Sequence, residues 1–226
     1  MRAFLLAFVL IGLCASSGFA AAYRLLVLDG HPVKWGKSSF GAGASLKYGF
    51  VREASKFPNA INCKAMTPVA PMLARSKIAE TAFRNEIRIA FDEWEKVANL
   101  RFTYVGDPAQ ADILIGAQTE PSGIAFANVW HAANGDSHIA EITKASICFN
   151  PRLPWETSLD GDKATLSFRQ IAAHEIGHAI GLDHPGSTGQ LMGYRYSEET
   201  PGLQAGDVLG AVKLYGAVRP SPNRRP

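Results

Sequence analysis

Three histidines in the second half of the sequence have a spacing that is typical of metal ligands. Residues four apart on a helix share one face, so a helix would let His174 and His178 present their imidazoles to a single ion. His184 can add a third imidazole if the chain turns sharply after the helix, and Gly181 permits such a turn because glycine tolerates left-handed backbone conformations. Neutral imidazoles suit Zn²⁺, and three protein ligands leave a fourth position for water, as in catalytic zinc sites.

Glu175 directly follows the first of these histidines and is the predicted proton-transfer group. Zinc lowers the pKa of a bound water, and an adjacent carboxylate can take the proton of that water and pass it to the leaving amine of a cleaved peptide. Met192 follows the histidines and is expected to form an apolar floor beneath them. The alternatives are a helix with surface histidines and a folded relative without activity. His184 and Met192 argue against the first alternative, and Glu175 argues against the second.

Apolar periodicity predicts the elements that must position these residues. A long amphipathic helix is predicted over 75–99, with Trp94 assigned to the core, and a loop is predicted over 57–71. The helix that carries the histidines is predicted over 165–180, and a last helix over 204–215. Strands are predicted over 44–51, 101–105, 111–117, 124–130 and 139–149. This order predicts one mixed α/β domain of the α+β class, in which a long helix packs on a sheet and a second helix bears the site.

The composition is that of a single globular domain, with 226 residues of which 47% are hydrophobic. The formal net charge of +3 is too small and too dispersed to indicate a nucleic-acid partner, and basic and aromatic residues do not alternate as they do in stacking platforms. We expect a monomer whose partner is a polypeptide substrate, without nucleic acid and without stable insertion in a membrane.

Residues 1–20 have the pattern of a signal peptide. Arg2 supplies a positive charge, an apolar run over 3–13 is too short to span a bilayer, and small residues precede a cleavage position after Ala20. Cys14 raises a lipoprotein alternative, but the bulky Leu13 stands where a lipobox has a small residue. The sequence therefore predicts a secreted or periplasmic protein.

The two cysteines after the predicted signal peptide, Cys63 and Cys148, are an even pair in a chain expected to be exported. An oxidising compartment favours a disulfide between them. Two buried free thiols are one alternative. The other is that Cys63 is a thiolate that blocks the zinc in a latent form, although the residues around it do not resemble the inhibitory cysteine motif of such proenzymes.

The segment from His174 to His184 resembles the zinc motif of the matrixins, a branch of the metzincin metallopeptidases, down to its closing Gly-Leu-Asp-His. The stretch from Asp207 to Gly216 is similar to the matrixin C-terminal helix, and the resemblance covers most of 44–216. It implies a metzincin fold with a twisted, mostly parallel sheet, a long helix, an active-site helix and a C-terminal helix. It also implies a zinc-dependent endopeptidase whose substrate lies antiparallel to an edge strand, here 124–130.

The signal-peptide pattern, the extent of the resemblance and the Pro/Arg-rich end together divide the chain into a signal peptide (1–20), an N-terminal segment or short propeptide (21–43), a catalytic domain (44–216) and a disordered tail (217–226). A zinc-containing binding or adhesion module without turnover, and an amidase acting on cell-wall peptides, are the alternative functions.

The sequence departs from the matrixin pattern where animal members bind a structural zinc and several calcium ions. Phe126 stands where a zinc-binding histidine is expected, and the acidic calcium cluster is replaced. His131, Asp136 and His138 offer the side chains for a second metal site, but a polar loop is the favoured interpretation. Neither Ca²⁺ nor a second structural Zn²⁺ is therefore supported.

Tyr194 lies two residues after Met192 and, with Pro185, resembles the serralysin and astacin branches. In those branches a tyrosine at this position is a fifth zinc ligand and a transition-state donor, so the resemblance implies a catalytic role for Tyr194. Packing beside the Met-turn is the alternative.

Overall fold

The computed structural model describes residues 23–132, 138–158, 164–186, 189–198 and 201–218. The predicted signal peptide, and the predicted disordered tail beyond residue 218, lie outside the described residues. Within the described ranges, no helix is both long enough and apolar enough to cross a bilayer.

A mostly parallel sheet forms the centre of the molecule. Its strands and the short strands around it are β1 (Arg24–Leu25), β2 (Val27–Leu28), β3 (His31–Lys34), β4 (Ala44–Phe50), β5 (Ser55–Lys56), β6 (Ala65–Thr67), β7 (Leu100–Tyr104), β8 (Ile113–Gln118), β9 (Ala125–His131), β10 (Ala140–Phe149), β11 (Trp155–Glu156), β12 (Leu166–Ser167) and β13 (Leu182–Asp183). The main order is β2-β3-β10-β8-β4-β7, in which the pairs from β3 to β7 are parallel. Strand β9 pairs antiparallel with β10 and with no other described strand, so it is an edge of the sheet.

The helices are α1 (Ala70–Ser76), α2 (Glu80–Val97), α3 (Phe168–Ala179) and α4 (Ala205–Tyr215). A short 3₁₀ turn occupies Pro108–Gln110. The mixed architecture agrees with the predicted fold, and the predicted central strands and last two helices are found to within three residues of their ends. Strand β10 has a register irregularity between Ile142 and Lys144.

Two predictions from the sequence were wrong in the region before the long helix. The helix predicted over 75–99 begins later, at Glu80, because the preceding helix α1 ends at Ser76 and Lys77 adopts a left-handed conformation with φ 56°. The loop predicted over 57–71 contains strand β6 and the start of α1. Pro71 lies at the beginning of that helix, where its missing N–H costs nothing, so this proline marks the start of a helix.

The helices cover one face of the sheet and bury the main core there. Helix α2 contributes a stripe that includes Phe83, Ile87, Phe91 and Trp94, all at most 1% exposed. Trp94 also donates from Nε1 to the carbonyl oxygen of Ala173 on α3, at 2.9 Å. The assignment of Trp94 to the core is therefore confirmed. The same side chain also fixes the helix that carries the histidines.

The opposite face of the sheet buries a second, smaller cluster, which consists of Val51, Cys63, Met66, Ala111, Leu114 and Cys148. A disulfide joins Cys63 to Cys148 across 85 positions of sequence, with 5.7 Å between their Cα atoms. The predicted disulfide is thus confirmed. Because the sulfur of Cys63 is bonded to Cys148, the alternative in which a Cys63 thiolate blocks the zinc does not hold.

Candidate metal centre and cleft

Helix α3 and the turn that follows it bring the three histidines together. The Nε2 atoms of His174, His178 and His184 lie 3.1–3.2 Å from one another. Gly181 makes the turn with φ 100°, and a Cβ at this position would lie 2.2 Å from the carbonyl oxygen of Val33. Both the backbone conformation and the lack of space therefore require glycine here.

Backbone carbonyls orient two of the imidazoles. Nδ1 of His174 lies 2.7 Å from the carbonyl oxygen of Leu191, and Nδ1 of His178 lies 2.9 Å from that of Leu182. A carbonyl oxygen only accepts, so each Nδ1 carries the proton and each Nε2 presents a lone pair towards the centre of the triad.

Burial keeps these imidazoles neutral. It lowers the pKa of His174 to about 4 and that of His178 to about 3. Unprotonated nitrogens that face one another at hydrogen-bond distance repel unless a cation lies between them, and this donor set is the one that Zn²⁺ prefers. The three histidines fit a zinc ion, and among the described residues no other group of three potential ligands is close enough together to hold a metal.

Glu175 lies in the wall of a cleft beside the triad. Its side chain is buried, and burial raises the pKa of its carboxyl group to about 8, while a hydrogen bond from the backbone of Ala127 opposes that rise. Ala127 lies on the edge strand β9, so the carboxyl group lies between the histidines and the strand edge. A dication held by the neighbouring imidazoles would favour the ionised form of Glu175.

The predicted floor residue, Met192, packs beneath α3 and is 2% exposed. A Cβ added to Gly177 would lie 2.2 Å from its sulfur and 3.0 Å from the ring of Trp94. Glycine at position 177 therefore lets the helix approach Met192 closely.

Asp207 is a residue near the site whose role was missed in the sequence. Its carboxylate is 1% exposed and accepts hydrogen bonds from the backbone N–H groups of Leu191, Met192 and Gln204, at 2.8, 3.0 and 2.8 Å. Because Leu191 also supplies the carbonyl that orients His174, Asp207 ties helix α4 to the metal centre. An acidic residue in the first turn of a predicted helix suggests only a helix cap. Its hydrogen bonds to Leu191 and Met192 could not be predicted, because the sequence does not show where the loop with these residues lies.

The end of α3 is completed by side chains from both ends of the described chain. Trp35 Nε1 donates to the carbonyl oxygen of Ala179 at 2.8 Å, and the Tyr215 hydroxyl donates to that of Ile180 at 2.7 Å. The backbone N–H of Leu26 donates to the carbonyl oxygen of Gly181 at 2.8 Å. These bonds satisfy carbonyls that a helix end leaves without partners.

The structure places Tyr194 at the rim of the cleft. Its side chain is 83% exposed, and its ring centroid lies 5.2 Å from that of His184. The role of Tyr194 as a ligand or donor stays a prediction.

Two of the three side chains considered for a second metal site, His131 and His138, belong to the described residues. Nε2 of His131 lies 3.3 Å from a carboxylate oxygen of Asp29, and His138 is exposed. Asp136 lies outside the described residues. The pairing of His131 with Asp29 instead connects β9 to the N-terminal segment.

The cleft itself has a volume of about 600 Å³ and runs along the edge of β9. One wall is formed by Ile171 of α3 and by the segment that contains Leu191 and Tyr196. Leu26 and Leu28 also line the cleft. A groove of this shape has room for an extended chain next to the edge strand.

A mixed α/β domain with two histidines on a helix, a third after a glycine turn and a buried methionine beneath them is the metzincin class of metallopeptidase fold. Comparison with known proteins agrees with this class. The matrixin family profile matches residues 70–216. The chain belongs to the matrixin family of zinc metalloendopeptidases.

Similar proteins include the hatching enzyme of Paracentrotus lividus, at 31% identity over 63% of this chain and 24% of that protein. Matrix metalloproteinase-19 of Homo sapiens is 33% identical over 61% of this chain and 27% of its own length. Metalloendoproteinase 1-MMP of Arabidopsis thaliana is 29% identical over 66% of this chain and 40% of its own length. The match thus spans less than half of each of these relatives.

Proposed function

We propose that this protein is an exported zinc-dependent endopeptidase that cleaves extended polypeptides, with Glu175 as the group that moves the proton. The observation that carries the proposal is the position of the Glu175 carboxyl group, between the three histidines and the edge of β9. Export rests on the signal-peptide pattern of residues 1–20.

His174, His178 and His184 would hold the metal. Zinc at this position supplies a Lewis acid that acidifies water and polarises the carbonyl of the peptide. Glu175 accepts a proton from the attacking water and passes it to the nitrogen of the leaving amine, so that one carboxyl group acts as base and then as acid. The enclosed position of Glu175 limits competition from bulk solvent for that proton.

The substrate strand would add to β9 in antiparallel orientation. Ala127 lies level with Glu175 on this edge, so a peptide that lies along the strand would carry its scissile bond past the carboxyl group. Side chains that point towards α3 enter the part of the cleft lined by Ile171 and Leu191.

The test is the variant Glu175→Ala, with Glu175→Gln as a variant of similar shape. Both are expected to retain zinc, measured by metal analysis of the purified chain, and to lose at least about a hundredfold in kcat on casein and on quenched peptides, because general acid–base catalysis contributes about 10²–10⁴-fold. Wild-type activity must disappear with a chelator and return with zinc.

Three results would contradict the proposal. Cleavage by Glu175→Ala at the wild-type rate would rule out this residue as the proton carrier. No cleavage of any polypeptide by the zinc-loaded wild type would favour a binding or adhesion module. Cleavage of peptidoglycan peptides alone, in a panel that includes casein, would favour a cell-wall amidase.

A further inference from the structure

A loop from the far face of the sheet reaches the rim of the cleft. This segment, residues 57–64, is called here the tethered loop because the disulfide from Cys63 anchors it to Cys148 on β10. Oδ1 of Asn128 accepts hydrogen bonds from the backbone N–H groups of Ile61 and Asn62, at 2.9 and 3.0 Å. Nδ2 of Asn62 donates to the carbonyl oxygen of Ala127 at 3.0 Å. Three successive residues of the loop are therefore fixed to the edge strand and its neighbour.

This anchoring holds Ile61 in an unusual environment for a large apolar side chain. Ile61 is 80% exposed and, together with Asn62, lines the cleft that contains the triad. Tyr194, at 83%, is the other large apolar side chain of comparable exposure in the described residues, and it lines the same cleft. A single exposed isoleucine is ordinary on a protein surface. An isoleucine whose backbone is held in place at the rim of a cleft, however, loses little conformational freedom when a ligand covers it.

The alternation of β9 indicates which part of a substrate Ile61 would meet. The side chain of Asn128 points to the far face of the sheet, where it contacts the tethered loop, whereas Ala127 next to it lies level with Glu175. Side chains of a substrate strand added to β9 also alternate between the two faces. One set enters the cleft towards Ile171, and the other set points to the side of the tethered loop.

We propose that Ile61 is a specificity-determining residue that contacts an apolar substrate side chain pointing away from α3, close to the scissile bond. The inference rests on the proposed endopeptidase function and adds a second point of recognition to it. The tethered loop supplies this contact, and the hydrogen bonds of Asn128 and Asn62, with the disulfide, keep the contact in place.

The test compares Ile61→Ser with the wild type on one peptide set. The parent is a quenched peptide that the wild type cleaves, with apolar residues at the positions flanking the scissile bond, and each further peptide has serine at one of these positions. On the parent, Ile61→Ser is expected to lose roughly three- to tenfold in kcat/KM, mainly through KM, as for a lost apolar contact at a partly open site. On one serine-substituted peptide, the two enzymes should differ by less than about twofold, because the partner of Ile61 is absent there.

Leu209→Ser is the matched control, because Leu209 is an exposed apolar residue (49%) on α4 that does not line the cleft. It should match the wild type on every peptide, and both variants should retain full zinc content. The inference is overturned if Ile61→Ser equals the wild type on all peptides, or if it loses the same factor on all of them. In either case the proposed endopeptidase function still stands, because the wild type cleaves the peptides. The proposed function itself is overturned if the zinc-loaded wild type cleaves no peptide.

Discussion

The helix-covered face of the sheet and its opposite face use the same strands but bury very different amounts of apolar side chain. The helix-covered face packs α2, α3 and α4 through aromatic side chains, including Trp155 and Phe168, whose stacked rings are 4.5 Å apart. Among the described residues, the cluster on the opposite face buries six, two of which are the disulfide cysteines. Packing is therefore sufficient to order the helices, whereas the tethered loop needs a covalent bond and side-chain hydrogen bonds.

Because of this difference, the two sides of the cleft are held in place by different interactions. The histidines are oriented by elements of the large core, so their geometry should depend on packing and on buried hydrogen bonds. The opposite rim, with Ile61, should depend on the disulfide. A change to one face is expected to leave the properties set by the other face mostly intact.

Removal of the disulfide should have the largest effect on stability. Replacing both cysteines in Cys63→Ser/Cys148→Ser opens a loop closed over 85 positions, and we expect the free energy of unfolding to fall by about 4 kcal/mol. Chemical denaturation measures this loss. Zinc content per folded chain should be unchanged, and the discrimination between the parent and serine-substituted peptides should weaken. Loss of zinc from chains that remain folded would mean that the far face also positions the ligands.

A smaller effect is expected from Asp207→Asn on the helix-covered side. The amide retains the shape but loses the charge that three backbone N–H groups share, so the free energy of unfolding should fall by about 3 kcal/mol. Zinc affinity, measured by competition with a chelator, should fall about tenfold because Leu191 also orients His174.

The control for this variant is Asp107→Asn, which changes an exposed cap where asparagine accepts the same hydrogen bond, and it should change neither quantity. Unaltered zinc affinity in Asp207→Asn would show that α4 does not support the metal centre.

The smallest expected effect is on the pH dependence of stability, and it comes from Lys34. This side chain is fully buried at the end of β3, and its Nζ donates to the carbonyl oxygens of Trp35 and Lys37. Burial lowers the pKa of Lys34 to about 8, against the opposing influence of Glu141. Between pH 8 and the ordinary lysine pKa of 10.5 the unfolded chain binds the additional proton, so stability should rise with pH in this window.

The measurement is a series of denaturation curves between pH 8 and about pH 9.5, below the ionisation of ordinary tyrosines. Lys34→Met should remove the contribution of this residue to the slope. An equal slope in wild type and variant would mean that Lys34 does not titrate in this range.

The sequence was sufficient for the features that depend on local spacing. The positions of His174 and His178 follow from helix geometry, and the alternation of strands and helices predicts the class of fold. The disulfide could be predicted because only two cysteines follow the signal-peptide pattern. The break at Lys77 was missed because a left-handed helix end is usually marked by glycine or asparagine, and lysine gives no such signal.

Features that depend on distant contacts could not be predicted. Nothing local indicates that Trp35 and Tyr215 complete the end of α3, or that Asp207 holds the backbone of Leu191. The placement of Ile61 at the cleft depends on its bonds to Asn128, 67 positions away in sequence. Such contacts are fixed only when the sheet has formed.

The completion of α3 by Trp35 and Tyr215 also has a consequence for biosynthesis. A ribosome adds all three histidines before it adds Tyr215, so the nascent chain carries every ligand while the end of the motif helix still has carbonyls without their final partners. The end of the motif helix therefore gains its final support only after Tyr215 has been added. A translation arrest between His184 and Tyr215 would yield a chain that contains the complete zinc motif but lacks the support that gives the motif its shape.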